Sequence, residues 1–444
     1  MRPASRSLRG ASAATFALAL AACTNAPQRP TPLAQPAAPP APIEPEPAPP
    51  VAAPTPESTW TRLRAQFAMQ RCDYRPQVQH WARTYTQSPR HFYVKWQAAL
   101  PFVELVADEI EARNLPGELA MLPFVESDYL PIAARGDRAA GMWQIVPATA
   151  RAQNLAIGDD YDARLDALAS TQAALGLLAN YYKEFADWRL ADFAYNAGEF
   201  RVKKLLGERD ARTLSADELG QLPLNKVTHD HLDRMLALAC IVEDPQRYGV
   251  RLPDGDAQTH LVAVELDNGM DLRLAARLAD LPISKLRLWN AGYRDDRMDE
   301  QAPHRLLLPE SSLPRFHARS ATIPVAFWND WHEEPAARTG ALDGWAAASG
   351  IPVDALAAAN AMAPGASVSR SATLLLPGRE TRLPKRRDVA TRGKPHTHVI
   401  AAGDTLSGIA HRYAIPLKRL RALNPNAKGT LRVGSRLRLD ADAS

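Results

Sequence analysis

Leu115-Pro116-Gly117-Glu118-Leu119-Ala120-Met121-Leu122-Pro123-Phe124-Val125-Glu126-Ser127-Asp128-Tyr129 is the stretch on which the fold reading turns. Leu115, Leu119, Leu122 and Val125 recur at steps of three and four and so share one helix face. Glu126 follows directly, beside that apolar face and near a helix end. Pro131 limits how much further the helix can run. A carboxyl shielded by apolar neighbours is harder to ionise than one in water, which is what a general acid needs near neutral pH. Taken alone, a glutamate in such a place is more often an exposed residue with no chemistry.

The helical texture extends on both sides, over residues 60–248. Leu168, Thr171, Leu175, Leu178, Tyr182 and Phe185 step by three and four and predict one buried stripe. Leu232, Met235, Leu236 and Ala239 predict another. No comparable run of alternating strand residues interrupts the region, so an all-α domain is expected over residues 58–250.

Two further segments follow at sensible distances: Gly141-Met142-Trp143-Gln144-Ile145-Val146-Pro147-Ala148-Thr149 and Ala194-Tyr195-Asn196-Ala197-Gly198. Each is weak alone. The first could be a helix start with a packed tryptophan, the second a helix closing on a glycine cap. Together with Glu126, they resemble the soluble lytic transglycosylases, and most of all the membrane-bound lipoprotein branch that carries C-terminal LysM repeats. The resemblance covers residues 116–242.

That resemblance implies a lysozyme-like catalytic domain using one carboxylate. Glu126 would protonate the β-1,4 oxygen between N-acetylmuramic acid and N-acetylglucosamine, then take the proton of the muramic C6 hydroxyl as that oxygen closes on C1. It further implies that Gln144 and Asn196 bond the sugar's N-acetyl and hydroxyl groups. Tyr195 would line the cleft, Met142 and Trp143 would form its apolar wall, and Ser127 would follow the acid as is typical. Two-carboxylate glycosidases need a second acid; here the nucleophile lies in the substrate. Asp128 is the nearest candidate for a second acid, but residues two apart on a helix do not face each other.

The sequence also departs from the family pattern. Arg135-Gly136-Asp137-Arg138 stands where relatives usually carry Ser and then Pro-Ala-Gly. Thr228-His229-Asp230-His231 stands where Thr-x-x-Tyr is usual, so His231 either replaces a site tyrosine or is a surface helix residue. These changes keep two alternatives open: a wall-tethering scaffold with a silent active site, and a hydrolase on the same scaffold.

Beyond residue 250 a repeat appears. Leu272, Leu342 and Leu406 open three segments in register, followed by Leu281-Pro282, Ile351-Pro352 and Ile415-Pro416, then by Leu286, Leu356 and Leu420, then by Asn290, Asn360 and Asn424. Each closes on a short apolar strand. The expected order is strand, helix, helix, strand, with the proline starting the second helix. The predicted architecture is thus multidomain, an all-α lysozyme-like domain followed by three small α+β (βααβ) modules at residues 258–310, 322–378 and 397–440, with a basic linker at 379–396. The third resembles a LysM module closely, which implies glycan binding between Gly403-Asp404-Thr405-Leu406 and the loop at Asn424-Pro425. The first two are degenerate versions.

At the N-terminus, Arg2, Arg6 and Arg9 precede an apolar run over residues 11–22, too short to span a bilayer but suited to a secretory signal. It ends in Leu20-Ala21-Ala22-Cys23, which resembles a lipobox, implying cleavage before a lipidated Cys23; Thr24 rather than Asp next to it points to the outer membrane. Residues 25–57 are nearly all Pro and Ala and predict an extended periplasmic spacer, up to roughly 90 Å at ~3.1 Å per residue. The remaining cysteines, Cys72 and Cys240, could pair or stay as buried thiols. The net charge of +4 over 444 residues is small, and nothing resembles a nucleic-acid fold signature. Lys385-Arg386-Arg387 and the basic residues from Lys418 to Arg421 favour an anionic surface or polymer. No metal-ligand spacing exists and no cofactor is expected. The expected partners are peptidoglycan strands and the outer membrane; the sequence leaves the oligomeric state unknown.

Overall fold

The structure is a computed structural model that describes residues 58–256, 258–298 and 302–378, together with 397–400, 406, 409–410, 413, 415, 417–425, 427 and 435–439. The expected lipidation site Cys23, the spacer, the basic linker and the loop residues Gly403, Asp404 and Thr405 lie outside the described residues.

Residues 58–250 are helical, as expected. The long helix α3 (Pro89–Ala112) runs through the core and buries Phe92, Trp96, Leu100, Val103, Ala107 and Ile110 at three- and four-residue steps. Around it lie α1 (Thr59–Ala65), α2 (Pro76–Thr86), α4 (Leu122–Ser127), α5 (Pro147–Ala152), α6 (Ala167–Phe185), α7 (Trp188–Ala197), α8 (Glu199–Leu206), α9 (Ala216–Gly220) and α10 (Lys226–Glu243). Their starts are written in the sequence. Ser58, Asp166, Asp187, Ser215 and Asn225 each accept a backbone N–H of the first turn, meeting donors that a helix leaves unpaired. Trp96 is fully buried and stacks on Phe124 of α4 at 4.4 Å, with Trp60 edge-on at 5.2 Å. The α6 stripe differs from expectation at its C-terminal end. Tyr182 is exposed and stacks instead on Trp188 at 4.2 Å, while Ser170 and Ala174 complete the buried face.

Cys72 and Cys240 form a disulfide with a Cα–Cα distance of 5.3 Å, which settles the choice left open above. It ties the loop before α2 to α10 across 168 residues.

The repeat also appears as expected. In the first module β1 (Leu261–Glu265) pairs antiparallel with β2 (Arg305–Pro309), and α11 (Leu272–Ala279) and α12 (Ile283–Trp289) lie between them. In the second, β3 (Trp331–Pro335) pairs with β6 (Thr373–Pro377) around α13 (Leu342–Ser349) and α14 (Val353–Ala359), with a small extra pair of β4 (Gly340–Ala341) and β5 (Ser367–Val368). In the third, β7 (Thr397–Val399) pairs with β8 (Arg436–Arg438), and the helix Leu417–Leu423 is described. The Pro282 and Pro352 prolines sit one residue before their helices, at the cap.

The first two modules share one apolar core, to which Leu274, Leu308, Trp331, Leu356 and Leu375 all belong. The first is also fused to the helical domain. Leu261, Trp289 and Leu307 enter the helical core, and the Trp60 indole N–H donates to the Pro253 carbonyl at 2.7 Å. Arg294 pairs with Asp162 at 2.8 Å and Arg305 with Asp166 at 2.9 Å. No helix among the described residues is long and apolar enough to cross a membrane.

Candidate active site

The segment that carries Glu126 is built tightly. Residues Gly117–Met121 form a 3-10 turn before α4, and a Cβ on Gly117 would lie 2.2 Å from the Leu63 carbonyl oxygen, so only glycine fits. Leu119 and Leu122 are fully buried and Leu115 and Val125 nearly so, which is the predicted apolar face. α4 stops where Asp128 and Tyr129 turn into the left-handed region, at φ 53° and 64°. The Asp128 carboxylate faces Lys95 at 2.7 Å, and the Tyr129 hydroxyl donates to the Ala120 carbonyl. Arg234 of α10 caps the far end, donating to the Val125 carbonyl at 3.1 Å.

Two glutamates of this segment have opposite surroundings. Glu118 is fully buried; its carboxylate accepts the N–H groups of Ala68 and Met69 at 2.8–3.1 Å and faces Arg71 at 3.2 Å. Burial pushes Glu118 upward despite those donors. Glu126 keeps 17% of its side chain open. Its Oε1 lies 2.9 Å from His231 Nε2, and Oε2 has no hydrogen-bond partner among the described residues.

His231 therefore belongs to the site and is not a surface residue. It is 5% exposed, on the buried face of α10, and its Nδ1 lies 2.9 Å from Oδ1 of Asp192 on α7. Burial, which favours neutral imidazole, is outweighed by Asp192 and Glu126, and His231 is pushed up to about 10. A ring raised in this way favours the imidazolium form, in which both nitrogens donate. Asp192 is fully buried, and its Oδ2 has no partner among the described residues.

The other expected residues gather here, with changed roles. Gly141 and Gln144 take positive φ in a tight loop closed by mutual bonds between Ala140 and Ile145. A Cβ on Gly141 would meet the Arg164 carbonyl oxygen at 1.7 Å. Gln144 donates to the Gly141 carbonyl at 2.8 Å and keeps its Oε1 unpaired among the described residues. Asn196 accepts from Thr228 at 2.8 Å and keeps its Nδ2 unpaired there. Tyr195, half-buried, donates to the Trp143 carbonyl at 2.7 Å, and burial with Glu126 nearby pushes its phenol well up. Ser127 is occupied by the Met142 carbonyl at 2.9 Å, so it joins two segments and offers no hydroxyl outward. Met142 and Trp143 are 2% and 0% exposed, and the indole N–H donates to Thr171. These two side chains are core, and the expected apolar wall is not theirs. Arg135 and Arg138 line a separate cavity of about 930 Å³ with Pro131, Arg287, Tyr293 and Arg294; Glu126 is not among its lining residues.

Asp192 escaped the sequence reading because it stands in Leu190-Ala191-Asp192-Phe193 with no local partner. The signal was its spacing: it precedes Tyr195 and Asn196 by three and four residues, hence shares their helix face. In the repeats, Asn424 donates to the Leu420 and Arg438 carbonyls and accepts the Arg438 N–H, all at 2.7–2.9 Å. Its side chain is thus an internal brace, a correction to its expected glycan contact. Leu406 is half-buried against the small third core, and Pro425 is exposed. No group of three or more His, Cys, Asp or Glu suited to a metal occurs among the described residues.

Comparison with known proteins agrees with this layout. Residues 107–216 match the transglycosylase SLT domain, 260–325 the LysM-like domain of lytic transglycosylase MltD, and 398–440 the LysM domain. The chain is 38% identical over 229 residues to membrane-bound lytic murein transglycosylase D of Escherichia coli strain K12, covering 51% of this chain and 50% of the relative. It is also 39% identical over 115 residues to a putative tributyltin chloride resistance protein of Alteromonas sp. strain M-1, covering 26% of this chain and 56% of that protein. The chain spans about half the length of the curated relatives it matches. A helical SLT domain followed by LysM-type modules is the arrangement of this chain.

Proposed function

We propose that the chain is a peptidoglycan lytic transglycosylase whose single working carboxylate is Glu126. The observation that carries this reading is the isolation of that carboxylate. Of the acids near it, Glu118 is buried against backbone donors, Asp128 faces Lys95, and Asp192 is buried behind His231. Enzymes that activate water or form a glycosyl ester with a second acid hold two carboxyls roughly 5–9.5 Å apart and both open to substrate. One open carboxylate suits a reaction whose nucleophile is the substrate's own hydroxyl.

The steps then balance without water. Protonated Glu126 gives its proton to the bridging oxygen as the C1–oxygen bond breaks. The muramic C6 oxygen bonds to C1, and its proton returns to Glu126. Gln144 Oε1 and Asn196 Nδ2 leave one acceptor and one donor, the pair an acetamido group requires. Tyr195, bonded to the Trp143 carbonyl, fixes the floor between them. The third module would hold the glycan through the loop at 403–406 and the exposed Pro425, and the exposed Lys418 and Arg419 favour an anionic polymer. A lipid on Cys23 and the Pro/Ala-rich spacer would place this body in the periplasm, tethered to the outer membrane. The similarity to a membrane-bound relative supports an envelope location.

Mass analysis of products after incubating the full chain with purified peptidoglycan tests the reading. Fragments ending in 1,6-anhydro-muramic acid are expected. Reducing muramic ends would make the chain a hydrolase, and intact sacculi that retain the protein would make it a wall-binding scaffold.

A further inference from the structure

Glu126 changes charge twice in the proposed reaction, and its surroundings must tolerate both states. Its one hydrogen-bond partner among the described residues is His231, and that ring is held by Asp192 on the opposite nitrogen, each contact at 2.9 Å. The three groups come from α4, α10 and α7, so the line Asp192–His231–Glu126 is a product of tertiary packing. Asp192 is fully buried with one oxygen unpaired, and a buried carboxylate without a countercharge is costly. The imidazole is its only hydrogen-bond partner among the described residues, so a proton on that ring would make the buried acid tolerable.

We propose that Asp192 and His231 are positioning residues that hold a fixed positive charge against Oε1 of Glu126, leaving Oε2 as the oxygen that exchanges protons with the substrate. The inference rests on the reading of Glu126 as acid and base. The reaction requires the form in which Glu126 carries its proton on Oε2 while Oε1 accepts from His231 Nε2–H. When that proton passes to the bridging oxygen, the carboxylate left behind faces an imidazolium already in place. The C6 hydroxyl then returns a proton to Oε2. The ring gains and loses none. A charge already oriented toward the form that develops lowers the barrier without reorganisation at the moment of reaction.

Titratable groups surround this ring on α4, α7 and α10. α4 supplies Glu126, and α7 supplies Asp192 and, beside Glu126, the Tyr195 phenol. α10 itself adds Asp233, which faces Asp192 and pairs with Arg75 at 3.2 Å; Asp230 and Lys226 act on Asp233 in turn. Burial pushes Asp233 up to about 6, with Asp230 and Asp192 adding to it and Arg75 and Lys226 opposing. It therefore titrates below the range in which His231 would lose its proton.

The test uses the full chain with 15N-labelled histidine, the His231 signal being assigned by its loss in His231→Gln. At about pH 8, where an ordinary histidine near 6.5 is neutral, both His231 ring nitrogens are expected to carry protons. Asp192→Asn is expected to return the ring to titration near the ordinary value. On peptidoglycan, its kcat should fall about 10- to 100-fold at about pH 8 and recover most of the loss near pH 6, where the ring recharges, with KM little changed. His231→Gln keeps a donor but no charge, and its kcat should stay about tenfold low at both pH values. A singly protonated ring in the unmutated chain at about pH 8 overturns the proposal, and that measurement needs no variant to fold. A kcat ratio for Asp192→Asn that is flat with pH overturns it too, reducing Asp192 to a structural role. An unmutated chain that cleaves nothing overturns the functional reading and with it the role of the pair, while the ring spectrum still reports whether the charge exists.

Discussion

The asparagines of the repeat and the polar groups around Glu126 are buried or part-buried, and they are treated in opposite ways. Asn290 donates to the Leu286 and Leu307 carbonyls and accepts the Leu307 N–H. Asn360 does the same with Leu356 and Leu375, and Asn424 with Leu420 and Arg438. In each module one amide staples the end of the second helix to the closing strand, and its hydrogen-bonding capacity is met internally. Around Glu126 the balance is incomplete. Asp192 Oδ2 is an orphan, and Glu126 Oε2, Gln144 Oε1 and Asn196 Nδ2 have no partner among the described residues. A position that recurs with the same bonds is architecture; a cluster that keeps unmet polar capacity is built for something else to complete.

The largest way to break that contrast is at the acid. Glu126→Gln is expected to lower glycan cleavage by about 1000-fold or more while pelleting with sacculi stays near normal, since the remaining groups and the modules are untouched. Cleavage within about tenfold of the unmutated chain would move the chemistry to another residue. Next is the covalent tie that frames the helical site. Replacing Cys72 and Cys240 with serine removes a constraint across 168 residues and should cost about 2–5 kcal/mol in chemical denaturation, with the reductant sensitivity of the unmutated chain lost. An unchanged midpoint would show that core packing alone holds the domain.

The staples come next. Asn290→Ala strands a carbonyl and an N–H in the fused first module and should destabilise it by about 1–3 kcal/mol, read as earlier hydrogen exchange of β2. Asn424→Ala should weaken wall binding only in step with melting of the third module. Loss of binding with the module still folded would restore Asn424 as a glycan contact. A further effect is on stability against pH. The folded His231 value of about 10 lies above its ordinary 6.5, so the folded chain keeps a proton that the unfolded one releases. That stabilisation is fully present below about 6.5 and is lost as pH rises toward 10. Melting at stepped pH should show the decline in the unmutated chain and a shallower one in His231→Gln.

How much of this was legible in the sequence follows from range. The apolar face before Glu126 and the repeated spacing of the first two modules are local patterns, and both appear in the structure where the residues predicted them. The role of Asn424 was missed because its partner, Arg438, lies 14 residues on in a strand that spacing alone cannot pair. Asp192 meets His231 across 39 residues, and Cys72 meets Cys240 across 168. Trp143 looked like a sugar platform because an aromatic beside a glycine has no sign of burial written on it; Thr171, which takes its indole N–H, sits 28 residues away.

The most direct test of the central claim places the unmutated chain and Glu126→Gln side by side on the same sacculi. Soluble fragments and retained protein are measured in each. The unmutated chain is expected to release fragments with anhydro-muramic ends, while Glu126→Gln pellets equally well and releases none above background. Equal release by both chains would contradict it, because the carboxylate around which the site is organised would then not be the one that works.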